Sequence, residues 1–131
     1  MTKPYRPAFV ETAIQVGIHI FLWLAVLGVM IIWVPRFQKT LADFKLKVPW
    51  ATEVILSVSE WIVQFWFLLS PLLLILFLIL DAPVYFLMRL RYPSKSWLWS
   101  GLMTLLPLAV LSIIFAALLL PQLKVLEGLS K

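Results

Sequence analysis

Three stretches of this chain carry no charged side chain when His19 is neutral: residues 12–34, 61–80 and 97–120. At about 1.5 Å of rise per residue, a helix over any of them reaches across a hydrocarbon core of about 30 Å. Lipid offers the backbone no hydrogen-bond partner, so a spanning segment must be a helix or a strand of a closed barrel. Barrel strands are short and alternate in polarity. These runs are long and continuously apolar, so they read as helices. The second run continues in weaker form to residue 88. The expected fold is an all-α integral membrane protein with three transmembrane helices. The spans are placed at about 12–34, 61–88 and 97–120 in a single membrane domain over residues 1–131, with a short tail at 121–131. Composition agrees: 63% of the residues are hydrophobic and 13% charged, against about 45–50% and about 25% in soluble domains.

Lys3 and Arg6 precede the first run, as in a signal peptide. The run is too long for one, and Val34-Pro35-Arg36 offers no small-residue cleavage site. The expectation is a retained helix.

The longest polar piece is the linker 35–60. Phe37, Leu41, Phe44 and Val48 recur at helical spacing, with Arg36, Lys39, Lys45 and Lys47 between them. That pattern predicts a short amphipathic helix lying on the membrane surface between the first two spans. Pro49 then restarts the chain. From Trp50 a helix is expected to run unbroken into the second span. Pro71, Pro83 and Pro107 fall inside spans and each removes a backbone donor, so kinks are expected there. Residues 89–96 make a tight turn, which sets the second and third helices antiparallel. Lysine and arginine divide almost evenly between the two sides, so charge does not orient the chain.

Polar residues within the spans are few. Glu11, Gln15 and His19 share one face of the first helix. Asp81 lies late in the second. Ser100, Thr104 and Ser112 form a stripe on the third. His19 and Asp81 each lie about two turns inside the bilayer from the same end, if their helices are antiparallel. Asp81 is expected to be held by His19, with Gln15 and Ser100 completing the shell and Thr104 close to the same level. Capping the kink at Pro83, or reaching water beside Arg89, is the alternative for Asp81. A proton or ion path is one reading of such a cluster, and a polar clasp between helices is the other. The clasp is favoured, because small and polar residues commonly hold membrane helices together.

Six of the seven tryptophans lie near the span ends: Trp33, Trp50, Trp61, Trp66, Trp97 and Trp99. They suit an aromatic belt. Trp23 falls at mid-span, and Trp23 and Phe115 are candidate anchors for a partner protein.

No catalytic set is apparent. Ser57, Ser59 and Thr52 have no acid and histidine arranged as a base. Glu53 and Glu60 are too far apart for a paired-carboxylate site. The glycines form no phosphate loop. There is no cysteine, and one histidine builds no metal cluster. The expectation is a non-enzyme with no cofactor, no metal and no small-molecule substrate. The net charge of +5 is expected to meet lipid headgroups rather than nucleic acid.

One segment resembles a known family. Val34-Pro35-Arg36-Phe37, then Phe44, Val48-Pro49, Thr52, Leu56, Ser59 and Trp66 are similar to a stretch of the F-type inner-membrane platform protein of type II secretion systems and type IV pili. The likeness covers about residues 24–91. Its carrying residues in the linker are Pro35, Arg36, Phe37, Phe44, Pro49 and Thr52. Two departures stand out: Lys45-Leu46-Lys47 replaces the usual linker glycine, and Val48 replaces a leucine. The two soluble helical domains of that family have no counterpart in these residues, so its expected contact with an assembly ATPase does not carry over. The resemblance implies a bacterial inner (cytoplasmic) membrane. It implies a cytoplasmic N-terminus, a cytoplasmic turn at 89–96 and a periplasmic linker at 35–60.

Two function classes follow. The first is a small scaffold or assembly protein acting through helix–helix contacts with other integral membrane proteins. The second is an accessory structural subunit of a larger membrane enzyme or transporter.

Overall fold

A computed structural model describes residues 5–45 and 47–129. Among these residues there are helices and short connections and no strand. Helix α1 (residues 5–43) joins α-helix Tyr5–Gly28, a π-helical turn Val29–Trp33 and α-helix Val34–Asp43. Helix α2 (Trp50–Arg91) likewise joins Trp50–Leu76, a π-helical turn Phe77–Asp81 and Ala82–Arg91. Helix α3 spans Ser96–Leu129. All three are long and apolar enough to cross a membrane, and the chain is a multi-pass α-helical membrane protein.

Both π turns precede a proline by the same offset, at Val34-Pro35 and Ala82-Pro83. Proline lacks an N–H, and its ring crowds the carbonyl one turn back. Widening that turn takes up the misfit. The Val34 N–H reaches the Val29 carbonyl, and the Ala82 N–H reaches the Phe77 carbonyl. The helix therefore passes each proline instead of stopping.

This corrects one expectation. No separate interfacial helix lies between the first two spans. Phe37 and Leu41 belong to the continuation of α1, and Leu41 is buried. Their periodicity is real but marks the same helix carried on past Pro35. Phe44 caps its end, Lys45 takes a left-handed backbone with φ 50°, and Val48 and Pro49 lie in the connection. Helix α2 begins at Trp50 as expected, with the Glu53 N–H donating to the Pro49 carbonyl at 3.0 Å. At the other end, α3 continues through Pro121 to Leu129, so the described part of the expected tail is helical.

The chain groups into two compact units. The first comprises Met1–Leu24 and Phe67–Leu108. Ala8, Thr12, Val16 and His19 form its buried stripe on α1, and Phe77, Asp81 and Tyr85 form one on α2. Within it α2 turns sharply into α3: the Tyr92 N–H donates to the Met88 carbonyl at 2.7 Å and the Ser96 N–H to the Tyr92 carbonyl at 3.2 Å.

The second unit comprises Ala25–Trp66 and Ala109–Lys131. Val26, Met30 and Val34 are buried from α1, Thr52 and Ser59 from α2, and Ile114, Ala117 and Leu118 from α3. Its two buried hydroxyls answer two prolines. With the Val34 N–H diverted to Val29 and no N–H on Pro35, the Met30 carbonyl has lost its usual helical donor. The Ser59 hydroxyl donates to it. Pro121 likewise leaves the Ala117 carbonyl, four residues back, without its donor. The Thr52 hydroxyl donates to that one. Thr52 and Ser59 lie about two turns apart on one face of α2. One face of α2 thus sets two hydroxyls against carbonyls of two other helices.

Candidate functional site

The polar residues that α1, α2 and α3 contribute to the first unit meet in one cluster. His19 is fully buried and Asp81 is 3% exposed. His19 Nδ1 lies 2.7 Å from Asp81 Oδ2. The other carboxylate oxygen, Oδ1, accepts a hydrogen bond from Trp99 Nε1 at 2.8 Å. Each element places its member by helical spacing. His19 continues the buried stripe of Ala8, Thr12 and Val16, and Asp81 falls between Phe77 and Tyr85. Asp81 is also the last residue of the π turn before Ala82-Pro83.

A carboxylate at membrane depth costs about 2.5–3.5 kcal/mol on insertion scales when isolated. Here both oxygens are held, one by an imidazole and one by an indole N–H. With a neutral His19, Nδ1 carries the proton toward Asp81 and Nε2 carries a lone pair. Nε2 is buried and has no hydrogen-bond partner among the described residues. The arrangement holds three helix segments together: α1 through His19, α2 through Asp81 and α3 through Trp99.

The other expected members of the cluster form a second layer. Ser100 Oγ donates to Gln15 Oε1 at 2.7 Å. Arg89 Nε pairs with Glu11 Oε2. Thr104 lies with these residues on the wall of an open cleft. The cluster thus splits into a buried triad at His19, Asp81 and Trp99, and a more exposed group at Glu11, Gln15, Arg89, Ser100 and Thr104.

Trp99 was expected in the aromatic belt. It is instead half-buried and bonded to Asp81. Its distance from the α2–α3 turn suits either place, and only the direction of its side chain separates them. Trp33, Trp50, Trp61, Trp66 and Trp97 are exposed.

The linker residues scatter. Pro35 and Phe37 are half-buried, Arg36 and Phe44 are exposed, and Pro49 is half-buried at the start of α2. Of the six, Thr52 alone is fully buried, in its bond to Ala117. They form no common site. Of the two proposed anchors, Trp23 is half-buried. Phe115 is 42% exposed and meets Trp33 edge-on, with ring centroids 6.2 Å apart. Among the described residues no group of three or more His, Cys, Asp or Glu side chains stands close enough to hold a metal ion.

No protein-family model, curated protein or solved structure matches the chain.

Proposed function

We propose that this chain is a small membrane scaffold or assembly protein that works by packing its helices against other integral membrane proteins. The observation that carries the reading is the outward surface of α2. Only 6% of its most apolar stretch is buried, against 22% for the corresponding stretches of α1 and α3. That surface is not uniformly apolar, since Gln64 is exposed among Trp61, Val63 and Phe67. A carboxamide among apolar residues on a spanning helix commonly finds a hydrogen-bonding partner on another helix. Trp33 and Phe115 add a rigid aromatic pair with exposed edges, the kind of group enriched where proteins meet.

The sequence likeness to the secretion and pilus platform supports a place in the bacterial inner membrane. It also supports a cytoplasmic N-terminus and a periplasmic segment 35–60. The test is photo-crosslinking in cells from Trp23, Gln64 and Phe115, followed by mild-detergent purification and identification of what is attached. A discrete adduct with one membrane protein is expected. Labelling of lipid alone at all three positions would remove the reading. An oxidoreductase or transporter subunit as the adduct would place the chain as an accessory subunit of that complex instead.

A further inference from the structure

The cleft in the first unit opens where the helices meet the α2–α3 turn. It measures about 720 Å³, and its wall includes Glu11, Gln15, Arg89, Trp97, Ser100 and Leu105. That volume falls within the range of about 300–1,000 Å³ typical of small-molecule sites. The turn beside it carries exposed Arg91, Tyr92 and Lys95, so the cleft lies at headgroup level rather than at mid-bilayer.

Its wall carries charged groups of both signs, Glu11 and Arg89. Arg89 meets Glu11 through Nε. Glu11 accepts that bond through one carboxylate oxygen, Oε2. Ser100 engages the oxygen of Gln15, which leaves the Gln15 amide nitrogen as a donor toward the cleft. Both charged side chains are partly open, at 33% for Arg89 and 43% for Glu11. Ile14 and Leu105 line the same cleft and are 57% and 65% exposed, an apolar continuation for acyl chains. Trp97, 67% exposed, has the amphipathic ring that favours this depth.

The geometry points to a binding site for a zwitterionic, ammonium-bearing phospholipid. The partly open guanidinium of Arg89 and the Gln15 amide suit a phosphate, and the partly open carboxylate of Glu11 suits an ammonium that can donate hydrogen bonds. A net-anionic glycerol headgroup carries the same phosphate but brings no ammonium to Glu11. A trimethylated headgroup would offer Glu11 no N–H. The acid and the guanidinium together select a ligand carrying both signs, which a basic patch alone would not. The site concerns lipid and stands or falls apart from any protein partner.

The test uses the full chain in mild detergent, stripped of lipid. Synthetic phosphatidylethanolamine, phosphatidylcholine and phosphatidylglycerol with identical acyl chains are added singly, and retention is read by native mass spectrometry. Phosphatidylethanolamine should be retained roughly tenfold better than either of the others, the scale of one hydrogen bond to a charged group. Glu11→Gln should abolish its advantage over phosphatidylcholine, and Arg89→Gln should lower retention of all three. Ser100→Ala leaves both charges in place and releases Gln15, and should lower retention of all three with unchanged helical circular dichroism. Equal retention of the three lipids by the unaltered chain, or preference for phosphatidylglycerol, overturns the site. So does an undiminished preference in a folded Glu11→Gln chain. If the charge variants lose helicity, the ranking by the unaltered chain and the Ser100→Ala result decide.

Discussion

His19 Nδ1 sits 2.7 Å from Asp81 Oδ2, joining α1 to α2 by a bond that neither helix can satisfy alone. Removing either partner strands the other in a buried site. His19→Leu and Asp81→Asn should each lower stability in mild detergent by about 1–3 kcal/mol, the penalty of an unmet buried polar group. Measured as a double-mutant cycle by thermal unfolding, the pair should show a coupling of roughly 0.5–2 kcal/mol. Additive losses would mean that the contact contributes nothing of its own. Trp99→Phe, which frees the second Asp81 oxygen, should lower stability as well and couple to Asp81→Asn rather than to Ser59→Ala.

Ser59 and Pro35 should behave as a pair although they do not bond to each other. Ser59→Ala leaves the Met30 carbonyl without a donor and should cost about 0.6–1.7 kcal/mol. Pro35→Ala restores an N–H and lets the turn Val29–Trp33 close as ordinary α-helix, which returns a donor to Met30. The loss from Ser59→Ala should therefore shrink in the Pro35→Ala background. An undiminished loss there would show that the π turn is set by something other than the proline. Thr52→Val and Pro121→Ala offer the same measurement at Ala117.

Lys45 stands at a left-handed position, φ 50°, just past the end of α1. A side chain with a Cβ pays roughly 1–2 kcal/mol for that conformation, and glycine does not. Lys45→Gly should raise the unfolding midpoint by the equivalent of about 1 kcal/mol, less what the freer unfolded chain takes back. A lower midpoint would count against the left-handed turn.

Orientation is open to chemical labelling. Ser130→Cys should react with a membrane-impermeant thiol reagent in intact cells, and Ser94→Cys should not until the membrane is opened. The reverse pattern would invert the proposed topology.

The three spans were legible because a long, uncharged apolar run finds a stable setting in little else than a membrane-crossing helix. The meeting of His19 and Asp81 was legible from depth, because antiparallel helices of known rise bring residues at equal distances from one end to one level. The course of the chain after Pro35 was not. A proline ahead of an amphipathic pattern reads as a break, and only the i to i−5 bond from Val34 to Val29 shows that the helix absorbed it. Trp99 could not be told from its belt-forming neighbours by position. Thr52 drew notice through a sequence likeness, whereas its contact depends on Pro121 in a different helix. The offset from Pro121 to Ala117 can be read along the chain. The hydroxyl that answers it comes from elsewhere, and local pattern does not carry that information.

The matched prolines and hydroxyls leave a mark that inheritance would record. A lineage that loses Pro121 no longer needs a hydroxyl at Thr52, and one that loses Thr52 is under pressure to shed the proline. Pro35 and Ser59 are tied in the same way. Descendants of this chain should thus drift at these sites two at a time, with substitutions at one column of a family tree followed by substitutions at its distant mate. Such paired histories would let the contacts between these helices be traced from sequences alone.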